Sequence, residues 1–246
     1  MVGVWDYMKL DYFTYSNVGE REVNEDCVGV AVNNESYNFA LCDGLGGHGD
    51  GEIASKTAVD AMLNAACHND FCAELLEESF EAANEAVSIM QKQCSSSMRT
   101  TATLLSIKEN KAMWGHIGDS RIYYFSKNKF VKRTLDHSVP QMLVATGEIK
   151  EKDIRHHEDR NKLLRCIPWA AKKYDIDETA LEICCGDSFL MMSDGFWDWI
   201  DEKQMQKALK KCKCAEDTAN YLVKKAFKFG NGNNMDNLSL IVVKVI

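Results

Sequence analysis

Apolar residues recur along this chain with two different periods, and the two periods predict its helices and strands. Short runs that alternate apolar and polar positions predict strands, and longer runs with apolar residues three or four apart predict helices. The predicted strands are Asp26–Val32, Asn38–Leu41, Thr101–Ile107, Ala112–His116, Arg121–Phe125, Lys129–Lys132, Thr179–Ile183, Phe189–Met192 and Leu238–Val245. The predicted helices are Glu52–Ala66, Phe71–Met90, Gln141–Thr146, Asp201–Lys210 and Ala215–Phe229.

The order of these elements predicts an α+β fold. Strands are followed by two helices, then many strands, two more helices and a last strand, which favours antiparallel sheets covered by helix pairs over repeated βαβ units. The four strands between Thr101 and Lys132 follow each other through tight connections, so we expect a meander within one antiparallel sheet. The highly charged stretch Lys150–Arg165 predicts an exposed, mobile excursion.

Composition narrows the classes of protein to consider. With two prolines and no linker-like stretch, residues 1–246 are expected to form a single domain. A net charge of −8 argues against nucleic-acid binding, and no apolar run is long enough for a signal sequence or a membrane span. We expect a soluble, cytoplasmic monomer. Its ten cysteines are expected to be reduced core thiols, with Cys42 and Cys184 in apolar patterns.

Acidic residues recur where an apolar strand meets a loop, and this is the strongest chemical signal. The five aspartates are Asp26, which follows Glu25, and Asp43, Asp119, Asp194 and Asp236. Any one of them alone is typical of a hairpin turn or a helix cap. Gathered at one rim, they would repel one another unless a cation held them, and an all-oxygen ligand set suits Mg²⁺ or Mn²⁺. Two such ions activate a water and clamp a phosphate ester during in-line displacement.

Two further features fit an anionic substrate beside bound cations. Arg21, four residues before Glu25, has the fork geometry to grip phosphate oxygens, the alternative being an ordinary surface arginine. The loop from Gly44 to Gly51 contains five glycines. Because it lacks the G-x-x-x-x-G-K-[ST] pattern, we interpret it as a close-approach metal loop and not as a nucleotide cradle.

Seven motifs, in order along nearly the whole chain, resemble the type-2C metal-dependent serine/threonine protein phosphatases, and the bacterial branch in particular. They are Arg21-Glu-Val-Asn-Glu-Asp26, Asp43-Gly-Leu-Gly-Gly-His-Gly49, Arg99-Thr-Thr-Ala102, Gly118-Asp-Ser-Arg121, Asp136-His-Ser138, Ser193-Asp-Gly-Phe-Trp-Asp198 and Asp236-Asn-Leu-Ser239. The stretch from His157 to Arg165 is similar to that branch as well.

The resemblance implies an α-β-β-α sandwich with two Mn²⁺ or Mg²⁺ ions in a cleft at one end of the sheets. By position, Asp43 would bridge the two ions and Gly44 would contribute its carbonyl. The remaining roles are Asp194 and Asp236 at one ion, Asp26 and Glu25 around the other, Asp119 with Asp198 at a third, weaker ion, and Arg21 on the substrate phosphate. The segment of about 136–168 would be a flap subdomain that influences substrate choice.

One position departs from the eukaryotic relatives, in which a histidine proposed as general acid follows the Asp-Gly pair. Leu45 stands there, and His48 is not its equivalent by position. We expect His48 to stabilise its turn and His137 to support the flap, so the leaving-group proton would come from a water on the metals.

The resemblance implies a phosphatase that hydrolyses phosphoserine and phosphothreonine by a water activated between two metals, with no phosphoenzyme. Its partners would be phosphorylated proteins, substrates of a serine/threonine kinase. Two alternatives stay open at this point: a catalytically weak scaffold that binds phosphoproteins, and a phosphatase of small phosphorylated metabolites.

Overall fold

The chain forms twelve strands and six α-helices in the part that the computed structural model describes, residues 9–33, 36–45, 50–169, 174–176 and 179–246. The strands are β1 (Leu10–Asn17), β2 (Asp26–Asn33), β3 (Ser36–Leu45), β4 (Arg99–Thr100), β5 (Ala102–Lys108), β6 (Lys111–Ile117), β7 (Arg121–Ser126), β8 (Lys129–Arg133), β9 (Asp175–Ile176), β10 (Leu181–Glu182), β11 (Ser188–Met192) and β12 (Leu238–Val245). The helices are α1 (Gly51–His68), α2 (Ala73–Cys94), α3 (Val139–Ala145), α4 (Asp194–Trp197), α5 (Glu202–Lys211) and α6 (Ala215–Gly230), with a 3₁₀ helix at Glu151–His156.

The strands pair into two antiparallel sheets. Sheet A has the order β1-β12-β11-β7-β8, and sheet B has the order β10-β6-β5-β3-β2, with β4 beside β3 and β9 beside β6. Helices α1 and α2 pack on sheet B, and α5 and α6 pack on sheet A. The predicted α-β-β-α sandwich is confirmed.

Alternation along the central strands explains why both faces of each sheet are buried. In β3, Phe39 and Leu41 point into the apolar layer between the sheets, whereas Ala40 and Cys42 point toward α1 and α2. Strand β12 divides its residues between the two faces of sheet A in the same way. A period of two distributes one apolar strand between two cores, which leaves three apolar layers in the sandwich.

The predicted meander is wrong, because β5 and β6 lie in sheet B whereas β7 and β8 lie in sheet A. The chain crosses between the sheets at Gly118, whose φ of +103° belongs to the region that favours glycine. A Cβ there would lie 2.5 Å from the Thr101 side chain, so the crossing needs glycine for space as well. This crossing places Asp119 at the end of both sheets.

Three other details differ from the expectations. Strand β1, which pairs with β12 at the edge of sheet A, was not predicted, because its sequence mixes polar and aromatic residues. Cys184 is exposed, and Cys42 is the one fully buried thiol among the ten free cysteines described. Most of the cysteines are therefore not core thiols. In the charged stretch, Ile154 is buried against the core under sheet A and fixes the 3₁₀ helix there.

None of the helices in the described ranges is both long enough and apolar enough to span a membrane.

Candidate metal centre

Asp26 and Asp43 face each other across β2 and β3, where they form a register pair. The Gly44 N–H donates to the Glu25 carbonyl at 3.0 Å, which joins the start of β2 to the end of β3. The Asp43 N–H donates to Thr101 Oγ1 at 2.9 Å. The backbone of both aspartates is therefore fixed by sheet B and its neighbours.

Asp194 and Asp236 come from the end of sheet A, the first two residues after β11 and the second two residues before β12. Ser193 joins the two halves of the site, because its hydroxyl donates to Asp26 Oδ2 at 2.8 Å and accepts from the Ser239 N–H at 3.0 Å. The predicted convergence of these four aspartates at one end of the sheets is what the structure has.

The acidic residues open onto a cleft of about 540 Å³. It is lined by Arg21, Glu22, Val23, Glu25, Asp43, Gly44, Leu45, Asp119, Asn161, Leu163, Asp194, Asp236 and Asn237. Asn161 and Leu163 belong to the segment interpreted as a flap, so this segment forms one wall.

Burial and mutual repulsion raise the pKa of several carboxyls at the cleft. Burial, and then the charges of Asp26, Asp194, Asp119 and Asp236, raise the pKa of Asp43 well above its usual range. Burial raises the pKa of Asp26 to about 7, and the charges of Asp194 and Asp236 add to the rise. So many carboxyls in one buried place are unstable as bare anions, and a cation of charge two would relieve them.

Unsatisfied oxygens indicate where such cations fit. Asp26 Oδ1 and Asp198 Oδ1 are buried and accept no hydrogen bond from any described residue. Buried polar atoms without a partner are costly, and an absent ion is one ordinary reason for them. The atoms that the acidic residues of the cleft offer to a metal are all oxygens, which is the ligand type that Mg²⁺ and Mn²⁺ take. The residues present therefore fit a divalent metal centre.

Asp119 and Asp198 lie on the side of the cleft that faces α4. Trp197 Nε1 donates to the Asp119 carbonyl at 3.0 Å, and Asp198 Oδ2 accepts from Arg160 Nε at 3.2 Å. Burial and the charge of Asp194 raise the pKa of Asp198 to about 7, while Arg160 opposes the rise. Asp198 lines a neighbouring groove of about 430 Å³ that shares Asp194 with the cleft. The assignment of a third, weaker ion to this pair stays a prediction.

A buried ion pair supports the Asp119 loop from below. Arg121 donates to Asp136 through Nε at 2.8 Å and through Nη2 at 2.6 Å, and both side chains are almost fully buried. The same guanidinium lies 3.4 Å from the ring centroid of Trp197. The motif Gly118-Asp-Ser-Arg121 thus fixes its aspartate through the arginine that follows.

Arg21 lies at the cleft as predicted, where it makes two parallel hydrogen bonds to Asp236. The Nε–Oδ1 distance is 3.1 Å and the Nη2–Oδ2 distance is 2.9 Å. The arginine side chain is 43% exposed, so it also faces solvent. A planar fork at this place suits a phosphate that enters between the arginine and the acidic floor.

Several residues that shape the site were not singled out from the sequence. Asn237 Oδ1 accepts from the Glu25 N–H at 2.8 Å, and its amide nitrogen donates to the carbonyls of Val18 and Val23. Glu52, in the first turn of α1, has a buried Oε2 without a partner among the described residues, and its charge acts on Glu25. Asn237 and Ser193 stand inside the quoted motifs, and that was the available signal.

Of His48 and His137, the structure describes only the second. His48 lies outside the described residues, so its turn-stabilising role stays a prediction. His137 is nearly buried and contacts Gly118 and Asp175. Leu45 lines the cleft at the position where eukaryotic relatives have a histidine.

A model of the protein phosphatase 2C family matches residues 15–224. The chain belongs to this family. Among curated proteins of the protein phosphatase 2C type, serine/threonine phosphatase stp of Listeria welshimeri is 28% identical over 235 residues, which is 91% of each chain.

Solved structures of similar proteins share the fold. The crystal structure of the Mycobacterium tuberculosis serine/threonine phosphatase PstP/Ppp superposes with a TM-score of 0.84 at 27% identity, over 96% of this chain and 98% of that one. A structure of the PstP catalytic domain in complex with two manganese ions has a TM-score of 0.83 at 27% identity, over 97% and 99% of the two chains. Two sheets with helices on both sides are therefore the architecture of this protein phosphatase 2C chain.

Proposed function

We propose that this chain is a serine/threonine protein phosphatase that works with two Mn²⁺ or Mg²⁺ ions. The observation that carries the proposal is the meeting of Asp43, Asp194 and Asp236 at one cleft, with Asp26 buried next to Asp43 and Arg21 beside them. Membership in the protein phosphatase 2C family, and similarity to a serine/threonine phosphatase of Listeria welshimeri, support hydrolysis of phosphoserine and phosphothreonine as the reaction. The PstP structure with two manganese ions supports the choice of metal.

Each acidic residue has a place in this proposal. Asp43, with the carbonyl of Gly44, would lie between the two ions. Asp194 and Asp236 would hold one of them, and Asp26 with Glu25 the other. Asp119 and Asp198 would hold a third, weaker ion. When bound, the ions supply an activated water and neutralise the charge of the phosphate.

The protein's own contribution is to bind and orient the ester. Arg21 would exchange part of its pairing with Asp236 for the phosphate oxygens, since its fork already points into the cleft. Ser193 and Thr101 hold Asp26 and Asp43 in fixed directions, so the acidic floor needs little rearrangement when the substrate enters. His137 contacts Gly118 and Asp175, which supports a structural role for it and not one as proton donor.

We infer that the substrates are phosphoproteins made by a serine/threonine kinase, and that the enzyme acts as a cytoplasmic monomer. Residues 1–246 would form a single catalytic domain with a flap at about 136–168. Asn161 and Leu163 at the cleft support a part for this segment in substrate choice.

The test is hydrolysis of a phosphothreonine peptide by the purified protein in Mn²⁺, with EDTA as the blank. Asp43→Asn and Asp236→Asn should each lower kcat by at least about a hundredfold, because each removes a charged ligand from the centre. Asp60→Asn is the matched control, since Asp60 is an exposed aspartate on α1 paired with Lys56. It should have wild-type activity.

Full activity of either cleft variant would refute the proposed centre. Metal binding without turnover of any phosphopeptide would favour the scaffold. A clear preference for small phosphorylated metabolites over peptides would favour the third function.

A further inference from the structure

His137 makes two hydrogen bonds to a single residue, Gly118, at the crossing between the sheets. The His137 N–H donates to the Gly118 carbonyl at 2.8 Å, and the Gly118 N–H donates to His137 Nδ1 at 3.2 Å. A backbone N–H is always a donor, so Nδ1 must be the unprotonated nitrogen of the ring. The hydrogen is then on Nε2, which donates to Asp175 Oδ2 at 3.1 Å. The position of Gly118, and hence of Asp119 beside it, is tied to the tautomer of this ring.

The end of the predicted flap is fastened to the same residue. The Leu164 N–H donates to the His137 carbonyl at 2.8 Å, and Arg165 Nη1 donates to Asp175 Oδ1 at 3.1 Å. Asp175 thus accepts from His137 on one oxygen and from Arg165 on the other. Asn161 and Leu163, which line the cleft, precede this fastening directly. One histidine therefore contacts both the loop that holds Asp119 and the end of the segment that forms a wall of the cleft.

A second histidine holds the first in place. The rings of His116 and His137 stack with a centroid distance of 4.5 Å and an interplanar angle of 14°. His116 donates through Nε2 to the Leu135 carbonyl at 2.7 Å, and it pairs with Asp175 in the register of β6 and β9. Both rings are nearly buried, so the position of His137 is fixed by its surroundings.

The cluster of His116, His137 and Asp175 has ligand atoms within 4.8 Å of one another, which suggests a metal site at first sight. Three observations argue against one. Both nitrogens of His137 are engaged, Nε2 of His116 is engaged with the Leu135 carbonyl, and the Arg165 cation lies 3.4 Å from His137 Nε2. A hydrogen-bonded support explains these contacts better than an ion does.

We propose that His137 is a positioning residue that links the flap end, residues 161–165, to the Gly118–Asp119 loop. The inference rests on the proposed function, since it assigns His137 the task of setting Asp119 and the substrate wall relative to each other. Nδ1 of the ring holds Gly118, and Nε2 holds the flap end through Asp175 and Arg165. A change at one nitrogen should therefore affect the Gly118 loop, and a change at the other should affect the flap.

Two amide substitutions separate these effects, because each can replace one ring nitrogen and not the other. In His137→Asn, the side-chain oxygen can replace Nδ1 as the acceptor for Gly118, but the side chain is too short to reach Asp175. In His137→Gln, the side-chain amide can replace the Nε2 donor to Asp175, while the acceptor for Gly118 is lost. His68→Asn at the exposed end of α1 is the matched control.

The first readout is amide hydrogen exchange of the metal-free protein without substrate. We expect Gly118 to exchange about five- to tenfold faster in His137→Gln and to stay near the wild-type rate in His137→Asn, the change that loss of one hydrogen bond produces. Residues 162–165 should show the reverse order, with faster exchange in His137→Asn. His68→Asn should change neither segment.

The second readout is activity against Mn²⁺ concentration with a phosphopeptide and with p-nitrophenyl phosphate. His137→Gln should raise the Mn²⁺ concentration needed for half-maximal activity with both substrates. His137→Asn should raise KM for the peptide by about fivefold and leave the small substrate unchanged. Unchanged exchange and unchanged Mn²⁺ dependence in both variants would overturn the inference, and so would tight Zn²⁺ binding that His116→Ala abolishes. If the wild type hydrolyses no phosphopeptide, the proposed function fails while the exchange result still tests the positioning role.

Discussion

Replacing Asp26 by asparagine should stabilise the metal-free protein while it removes activity. Asp26 is buried and 8% exposed, and burial with the charges of Asp194 and Asp236 raises its pKa to about 7. The unfolded chain has no such environment, so its pKa there is close to the ordinary value. Folding at pH 8 therefore buries an ionised carboxylate, which costs free energy. The neutral amide of asparagine avoids this cost.

The size of the effect follows from linkage. A rise in pKa from 3.8 to about 7 corresponds to about 4 kcal/mol at pH 8, at about 1.4 kcal/mol per pH unit. The amide still buries a polar group, so we expect a net gain of about 2–4 kcal/mol. For a chain of this size the gain amounts to about 5–10 °C in Tm. Because the folded-state pKa of this acid is raised, the wild-type penalty is absent below about pH 4 and grows as the pH rises toward 7.

The assay is thermal unfolding in EDTA at pH 5 and pH 8, with Asp60→Asn as the control for a surface carboxylate. The advantage of Asp26→Asn should be about 2.5 kcal/mol larger at pH 8 than at pH 5. Saturating Mn²⁺ should reverse the order, because the wild type then gains binding energy that the variant lacks. An Asp26→Asn protein that is no more stable than the wild type in EDTA at pH 8 would refute the electrostatic account of the cleft.

Three further predictions concern the same region. Because the pKa values of Asp43 and Asp26 are both raised, Mn²⁺ must displace protons: calorimetry at pH 6.5 in two buffers of different ionisation enthalpy should detect release of at least about one proton, and affinity should rise with pH. Arg121→Met leaves Asp136 buried without its main partner, so urea unfolding should show a loss of about 3–5 kcal/mol, and a loss below about 1 kcal/mol would contradict the assigned pair. Gly44→Ala places a Cβ 2.1 Å from the Gly51 carbonyl oxygen, so the affinity for Mn²⁺ measured by calorimetry should fall by about tenfold or more. Wild-type affinity in this variant would contradict the prediction.

The layers and the acidic centre could be predicted from the sequence because their signals are local. Period-two runs reveal the strands, and an acid at the end of each apolar run places carboxylates at strand ends. The sheet to which a strand belongs is a different matter. β6 and β7 are both almost wholly buried, and such runs look the same in either sheet, so the crossing at Gly118 gave no signal of its own.

The residues that support the metal centre could not be predicted from local sequence patterns either. Asn237 reaches the Glu25 amide across 212 positions of the chain, and Ser193 reaches Asp26 across 167. An asparagine or serine at such a position is equally typical of a turn. Only the packing of sheet A on sheet B brings these partners together, and that packing depends on the whole core.

The aspartates that would share cations belong to different sheets, Asp26 and Asp43 to sheet B and Asp194 and Asp236 to the rim of sheet A. Their separation is therefore set by the thickness of the apolar filling between the sheets, where the rings of Trp114 and Phe189 meet edge to face at 5.7 Å. Mg²⁺ demands a tighter and more regular oxygen shell than larger cations do. The bulk of these aromatic side chains contributes to the spacing of the four aspartates, so we expect a substitution in this layer to change the fit of a cation without changing any of its ligands.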